Sequence, residues 1–566
     1  MLAVVKQEIE KQLQKFDSQD KGWSLVIPPD SSWGDLSCPC FDPAKIRQVN
    51  PVALAKEVAD FWQKNIKESW VEKVVAVGPY VNFFLSAPYL AGQVVPRVLT
   101  DKHFGQNRQG KKKRIMVEYP SQNTHKEFHI GHLRNICIGN ALVNLFQANG
   151  FQVVPVNYIN DFGRHVAKCL WGIQKFYPQF TPRTEQQKWL GQVYAEASQY
   201  LADHEDANQE VDEWQARLEA REPRTMKLFR QTRAWSLQGF TQILRELKTK
   251  HRRVFYESEV KDRGQQIVDE LLQKGLAKIG EKGAIIIDLQ AFGLDIALLR
   301  KSTGAGLYLT SDLSLAEKKF KKYKVAESIN ITGSEQNFYF KQLFKILELN
   351  GFKHKMTHIG YGLVNRPEGK MSSRLGNVIL YADLRQQIFE HLAGETTKRH
   401  PDWSTTKVNQ TARIMTLAVL KFTMQKHEAS KVITFDFEEA VSFDGYSAPY
   451  ILYALARINS LRRKSQIRGR RADFTCLVEP SEKQLILLLA QYPEIVEKAF
   501  ADYNPSVIAK YCFDLSQAFN DWYNQCSILQ AGNPVLIKAR LALAWAVKLN
   551  LERALGILTI EAVEEM

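Results

Sequence analysis

Cysteine is scarce in this chain: seven residues in 566, odd in number and irregularly spaced. That excludes a disulfide framework and fits a reducing, cytoplasmic setting. Long apolar runs are missing as well. No stretch reaches the roughly 18 uncharged apolar residues that a membrane span needs, and the opening MLAVVKQEIEKQLQ places charges where a secretion signal has its apolar centre. There is no internal repeat and no low-complexity tract, which argues against a solenoid or a disordered chain. Acidic residues run short. Against 76 Lys and Arg stand 61 Asp and Glu, a net charge of +15 with a pI near 9.2. Such a surplus favours a polyanionic partner, because neutralising phosphates releases their condensed counterions.

With 45% hydrophobic and 24% charged residues, the chain has material for several packed cores, and at about 150 residues per domain its length suggests three or four. Residues 1–110 read as a small α+β domain. Helices are expected over 2–15 and 51–66, and a hairpin joins 74–77 to 81–85 around Gly78-Pro79-Tyr80. Cys38 and Cys40 stand one residue apart, the wrong spacing for a zinc knuckle. From 111 to 380 the pattern becomes α/β. A buried strand at 115–119, a polar loop, a helix carrying Ile138, Leu142, Leu145 and Phe146, and a strand at 152–159 make a parallel βαβ unit. Further buried strands of this doubly wound sheet are expected at 284–288, 328–332 and 357–361, with a charged helical insertion over 181–247. A helical connective segment fills 381–444. Strand signals then vanish, and amphipathic helices predict an α-helical bundle over 445–566. Within it, Arg462-Arg463-Lys464 open a ten-residue stretch with six basic residues, read equally as a phosphate-binding loop or a solvated one.

Two motifs carry chemistry. His129-Ile130-Gly131-His132 lies where the first βαβ strand hands over to its helix. The free N–H groups and positive dipole end of a helix already favour phosphate there, and imidazoles three residues apart can add donors to charge developing on a phosphoryl group. Gly131 leaves room for a flat base against the backbone. His125 extends the pattern to H-x3-H-x2-H, but Lys126 stands where a zinc protease helix has glutamate, so no metal site is expected. The second motif, Gly369-Lys370-Met371-Ser372-Ser373, combines a lysine with hydroxyls in a glycine-flanked loop suited to covering a triphosphate.

Together these motifs resemble the HIGH and KMSKS signatures of class I aminoacyl-tRNA synthetases. The run 117–128 before HIGH, the segments 307–312 and 333–336, and Tyr446 to Arg457 resemble the arginyl-tRNA synthetase family in particular, over nearly the whole length. The resemblance implies a Rossmann-type catalytic domain between an N-terminal tRNA-binding domain and a DALR anticodon-binding domain. It implies ATP with Mg2+ carried on it, L-arginine and tRNA(Arg) as ligands, and a cytoplasmic monomer. By the same resemblance His129, His132, Lys370 and Lys126 serve catalysis, while Gly131, Ile130, Gly369, Met371, Ser372 and Ser373 bind ATP. Asp312 and Glu257 would hold the guanidinium and Tyr308 line it, with Glu259 the alternative to Glu257. Asn123, Glu118 and Gln336 would fix the amino and carboxylate ends. The stretch 160–165 follows the second strand at the carboxyl end where such sheets bind ligands, and is expected to border the site with Arg164 and His165 as contacts. Tyr80 and Asn82 fall where the family contacts tRNA bases, and Arg462, Arg463 and Lys464 suit its phosphates. A different class I synthetase, a small-molecule nucleotidylyltransferase and a non-catalytic RNA-binding relative are the rival readings. The Tyr308/Asp312 pair, the basic helical C-terminus and the intact motifs speak against each in turn.

Overall fold

A computed structural model of the chain describes residues 2–16, 22–65, 68–304, 306–365, 379–465 and 472–566. In the N-terminal domain β1 (Leu36–Pro39), β2 (Val71–Val77) and β3 (Tyr80–Leu85) form an antiparallel sheet in the order β1-β3-β2. Gly78 turns the hairpin at φ 56°, the left-handed region that glycine enters without steric cost. The helix Pro51–Asn65 packs on β2 and β3, burying Leu54, Val58 and Trp62, and the helix Leu2–Phe16 lies against it.

The catalytic sheet contains β4 (Arg114–Glu118), β5 (Gln152–Ile159) and β6 (Arg253–Tyr256). A separate antiparallel sheet follows, made of β7 (Lys278–Ile279), β8 (Ile285–Asp288) and β9 (Ile296–Arg300). The chain then returns as β10 (Glu327–Gly333) and β11 (Lys355–Tyr361), giving five parallel strands in the order β11-β10-β4-β5-β6. It thus starts in the middle of the sheet, runs outward through β5 and β6, and crosses back to the far side of β4. This reversal opens a crevice at the carboxyl ends of β4 and β10, the place where such sheets bind ligands. The expected strand at 284–288 is β8 and belongs to the side sheet, because its neighbours are a short hairpin rather than crossover helices. The third sheet strand, β6, went unread: four residues between a basic run and an acidic turn leave no periodicity.

The helix Ile130–Ala148 is buried on nearly every side, which explains its apolar residues all round. A Cβ on Gly139 would sit 2.3 Å from the Tyr119 ring, so the helix crosses the end of β4 only with glycine there. The insertion consists of the helices Gln186–Asp203, Asn208–Glu219 and Pro223–Glu246. Beyond the sheet, β12 (Val364–Asn365) pairs with β13 (Ile433–Thr434), and the helices Tyr381–Arg399 and Thr405–Gln425 form the connective segment. Four helices, Ala448–Lys464, Pro480–Ala501, Ser506–Gln525 and Pro534–Ile557, build the C-terminal bundle. Among the described residues no helix is long and apolar enough to cross a membrane.

Ion pairs join the ends of the molecule: Lys6 with Glu494 at 2.6 Å and Lys483 with Asp35 at 2.7 Å. Arg553 of the last helix donates to the carbonyls of Val98 and Asp101. Inside the catalytic domain, the buried Arg134 donates to the carbonyls of Gly362 (2.5 Å), Leu363 (3.3 Å), Glu428 and Ala429 (both 3.2 Å). One side chain of the helix Ile130–Ala148 therefore fastens both stretches that lead into β12 and β13. Arg134→Met keeps the aliphatic bulk and removes all four bonds. It is expected to cost about 2–4 kcal/mol, because hydrogen bonds from a charged donor to buried carbonyls are lost without replacement. Calorimetric unfolding checks this, and a loss below about 1 kcal/mol would show that the carbonyls find other partners.

Candidate active site

The loop after β4 delivers His129 as N-cap of the helix Ile130–Ala148. Its Nδ1 accepts the Gly131 N–H at 3.2 Å, and the Nδ1 of His132 accepts the His129 N–H at 3.3 Å. The two rings stack with centroids 3.8 Å apart. A ring nitrogen that receives a backbone N–H carries no proton, so each neutral imidazole keeps its hydrogen on Nε2. Burial, reinforced by the Lys126 charge, holds His129 down to about 4, and burial beside His129 holds His132 well below the ordinary range. Both are therefore neutral donors at physiological pH, set beside the free N–H groups of a helix mouth. A Cβ on Gly131 would stand 3.0 Å from the His129 ring, so glycine is what lets the capping ring seat. Lys126 lies over the Tyr194 ring of the insertion, 4.9 Å from its centroid.

Gly369, Lys370, Met371, Ser372 and Ser373 lie outside the described residues. The chain on either side of them is anchored to the same helix. Ile130 donates to the Ile379 carbonyl at 3.0 Å and Tyr381 to the Phe128 carbonyl at 3.1 Å, while Arg134 holds Gly362 and Leu363.

Across the crevice the helix Tyr308–Tyr323 carries Tyr308, Asp312 and Lys319. Asp312 is half-buried with its carboxyl turned inward; its Oδ2 accepts the Tyr339 hydroxyl and its buried Oδ1 has no partner. Glu257, in the turn after β6, is 8% exposed and its Oε2 has none either. Burial pushes Asp312 up to about 7, and burial together with the charges of Asp312 and Asp161 pushes Glu257 up to about 8. The buried Tyr158 hydroxyl at the end of β5 is also unpartnered. Tyr308 stands half exposed at the rim, its phenol raised to about 12 by burial and by Glu257. Two carboxyls and a phenol thus lie near one another; Lys261 and Lys319 act on them from a distance, but among the described residues neither carboxyl has an ion-pair partner. That donor-hungry set is complementary to a planar cation with several N–H groups.

Glu259 is committed to Arg253 (2.7 Å) and Lys318 (3.0 Å), so Glu257 is the acid that the fold places in the pocket. Glu118, expected to meet an amino group directly, is 4% exposed. Its oxygens are held by Lys319 at 2.6 Å and Asn330 at 2.7 Å, because the switch between β4 and β10 needs a buried crosslink there. Asn123 is half-buried in the loop, bridged to Asn160, and Gln336 is exposed just after β10. Arg164 turns away to Asp212 and Asn208 of the insertion. His165 is buried, with Nε2 on the Asn160 carbonyl at 3.2 Å. His125 is fully buried and spends its ring nitrogens on Thr124 (2.9 Å) and Thr232 (2.8 Å). Among the described residues no group of three His, Cys, Asp or Glu side chains could hold a metal ion. Asp161 lies in the stretch 160–165 expected to border the site, but its own role is not legible there; sequence reasoning missed Lys319 and Tyr339, and only Lys319, a cation seven residues after Asp312, left a trace.

On the outer faces, Tyr80 is 39% exposed and packs edge-on against the half-exposed Phe41, centroids 5.6 Å apart. Asn82 is not available beside it: it is 3% exposed and its amide oxygen accepts the Ser37 hydroxyl at 2.6 Å, a crosslink within the sheet. Arg462 lies over the Trp545 ring at 4.2 Å, Arg463 pairs with Glu565 at 3.2 Å, and Lys464 is exposed. The rest of that basic stretch, 466–471, lies outside the described residues.

Comparison with known proteins gives the family. Family models for the catalytic domain of class I (R) tRNA synthetases, the arginyl-tRNA synthetase N-terminal domain and the DALR anticodon-binding domain match residues 94–437, 3–85 and 451–566. The arginine–tRNA ligase of Bdellovibrio bacteriovorus is 34% identical, over 96% of this chain and 94% of the relative. That of Streptococcus pneumoniae is 31% identical over 100% and 99%. The structure of Thermus thermophilus arginyl-tRNA synthetase superposes with a TM-score of 0.82 at 25% identity, covering all of both chains. A catalytic family model spanning more than half the chain, and relatives at this identity along its full length, establish that the chain belongs to the class I arginyl-tRNA synthetases.

Proposed function

We propose that this chain joins L-arginine to tRNA(Arg) in two steps on one site. The arginine carboxylate attacks the α-phosphate of ATP in line; the bond to the β-phosphate oxygen breaks, leaving arginyl-adenylate and pyrophosphate. The terminal 2′-hydroxyl of the tRNA then takes the arginyl group and AMP leaves. The observation that carries this reading is the pair of carboxyls without an ion-pair partner, Asp312 and Glu257, together with two neutral imidazoles at a helix mouth, with Glu257 and His129 both following carboxyl ends of the parallel strands.

Asp312, Glu257 and Tyr308 would receive the guanidinium. Asn123 and Gln336 would orient the amino and carboxylate ends, with Glu118 behind them holding Lys319. The Nε2–H groups of His129 and His132 would donate to phosphate oxygens, with Lys126 and, by its motif, Lys370 adding positive charge. Ile130 and Gly131, together with Gly369, Met371, Ser372 and Ser373, would enclose the nucleotide. No covalent enzyme intermediate is needed, so positioning and charge stabilisation carry the rate. Mg2+ carried on the triphosphate would neutralise part of its charge.

Tyr80, braced by Phe41, offers a ring on which an unpaired base can stack. Arg462, Arg463 and Lys464 suit phosphates beside the anticodon-binding bundle. Domain limits at 110, 380 and 444, a monomeric state and a cytoplasmic location complete the proposal. The few free cysteines and the absence of a membrane-crossing helix among the described residues support the last.

Pyrophosphate exchange with each of the twenty amino acids, with and without total tRNA, tests the activity; exchange with another amino acid at arginine's rate would overturn it. His132→Ala is expected to lower aminoacylation about 10²–10³-fold, the usual effect of losing a transition-state donor; an unchanged rate would remove the histidines from the chemistry. Asp312→Asn should raise the KM for arginine far more than that for ATP, and equal losses would point to a folding defect.

The raised carboxyls give a pH signature with a definite sign. Asp312 near 7 and Glu257 near 8 hold protons below those values, whereas the ligand guanidinium stays charged throughout. Binding must then expel protons, so kcat/KM for arginine should fall as pH drops from about 8 to 6, by up to about tenfold per pH unit for each proton displaced. The KM for ATP should stay level, because both imidazoles remain neutral. A flat arginine profile would contradict the pocket.

A further inference from the structure

Arg233 sits on the insertion helix Pro223–Glu246, far along the chain from either motif, yet it reaches the wall of the acidic pocket. Its Nε donates to Asp161 Oδ2 at 2.6 Å, and its guanidinium lies 4.2 Å above the Tyr256 ring. Asp161 follows β5 and its side chain is fully buried. Besides Arg233 it receives two bonds from one residue: the Ser258 N–H at 3.0 Å on Oδ1 and the Ser258 hydroxyl at 2.9 Å on Oδ2. Ser258 is the middle of the single turn Glu257–Glu259. Three donors on one carboxylate therefore fix the turn from which Glu257 projects. Among the described residues Arg233 is the one cation paired with Asp161. The two Ser258 bonds favour the charged carboxylate, and Arg233 is what offsets that charge toward its neighbours.

We infer that Arg233 is a positioning residue for arginine recognition, acting through Asp161 and Ser258 to hold Glu257 in place and to keep Asp161's charge from falling uncompensated on it. This rests on the reading of Glu257 and Asp312 as the guanidinium site. The groups that face Glu257 are few. Asp161 and Asp312 oppose its ionisation, Lys261 favours it, and Tyr158, Tyr308 and Tyr339 surround it. Of the carboxylates, only Asp161 carries a matched guanidinium of the protein's own. The neighbours of Arg233 on the same helix, Thr232 and Ser236, hold the ring and the N–H of His125, four residues before His129. One turn of the insertion thus supports the acidic pocket and the approach to the histidine pair, but only Arg233 addresses the former.

The test is steady-state exchange kinetics across pH on the full chain. Arg233→Met should raise the KM for arginine at least tenfold at pH 7.5, leave the KM for ATP within about twofold, and move the acid limb of the arginine profile to higher pH. Arg233→Lys, which keeps the charge, should recover most of the loss. In a Glu257→Gln background, Arg233→Met should add little, since both act on one group. An arginine KM within twofold of the parent and an unmoved acid limb in Arg233→Met would overturn the inference. So would an equal loss for arginine and ATP that Arg233→Lys does not relieve, the pattern of a merely structural residue. If Glu257→Gln raises the arginine KM while Arg233→Met does not, the positioning role fails and the pocket stands. If Glu257→Gln itself has no effect, both fall.

Discussion

Two buried carboxyls that the protein does not neutralise set the terms for this site. Asp312 and Glu257 lie side by side with an unpartnered oxygen each, while their neighbours Glu118 and Asp161 are tied to Lys319 and Arg233. The pocket thus sorts its acids into two kinds. Those with a cation of their own build the walls, linking β4 to β10 and the insertion to β6. Those without one store an unmet electrostatic demand that a ligand guanidinium can satisfy. Burying an unpaired carboxyl costs stability, and the fold tolerates that cost where function requires it.

The proposed nucleotide side follows the opposite logic. There the partial positive charge comes from a helix mouth and from neutral imidazoles whose inner nitrogens are occupied by backbone N–H groups. Capping and ligand binding use different atoms of the same rings. A mutation to a capping aspartate would preserve the helix and lose the outward donors, which separates the stabilising role of these residues from their chemical one.

Much of this was legible in the sequence. The helices starting at Leu2 and Pro51 and the strand 152–159 carry clean periodicity or punctuation and are present within a residue or two, while the hairpin's first strand begins three residues earlier and the insertion's first helix five residues later than expected. The histidine pair, Tyr308 and Asp312 stood out because they combine spacing with a family resemblance. What escaped has a common cause. β6 is too short to show a period, β8 resembles a sheet strand locally and differs only in what flanks it, and Asp161, Lys319 and Arg233 matter through partners 97, 201 and 72 residues distant. No local pattern encodes such pairings. Asn82 shows the converse: a polar residue in a hairpin reads as a surface contact, yet strand alternation turns it inward to Ser37.

The last turn of the helix Pro534–Ile557 leaves carbonyls without intrahelical partners. The Ile560 and Thr559 N–H groups serve Leu555 and Gly556, and Asn144 adds bonds to the Gly556 and Ile557 oxygens at 3.1 and 3.0 Å. Asn144 belongs to the helix whose other end His129 caps, and 19 residues at about 1.5 Å each make a rod of roughly 28 Å. A single helix therefore carries the imidazole pair at its mouth and, near its other end, the side chain that plugs the terminal bundle, so the spacing between the two is set by one rod.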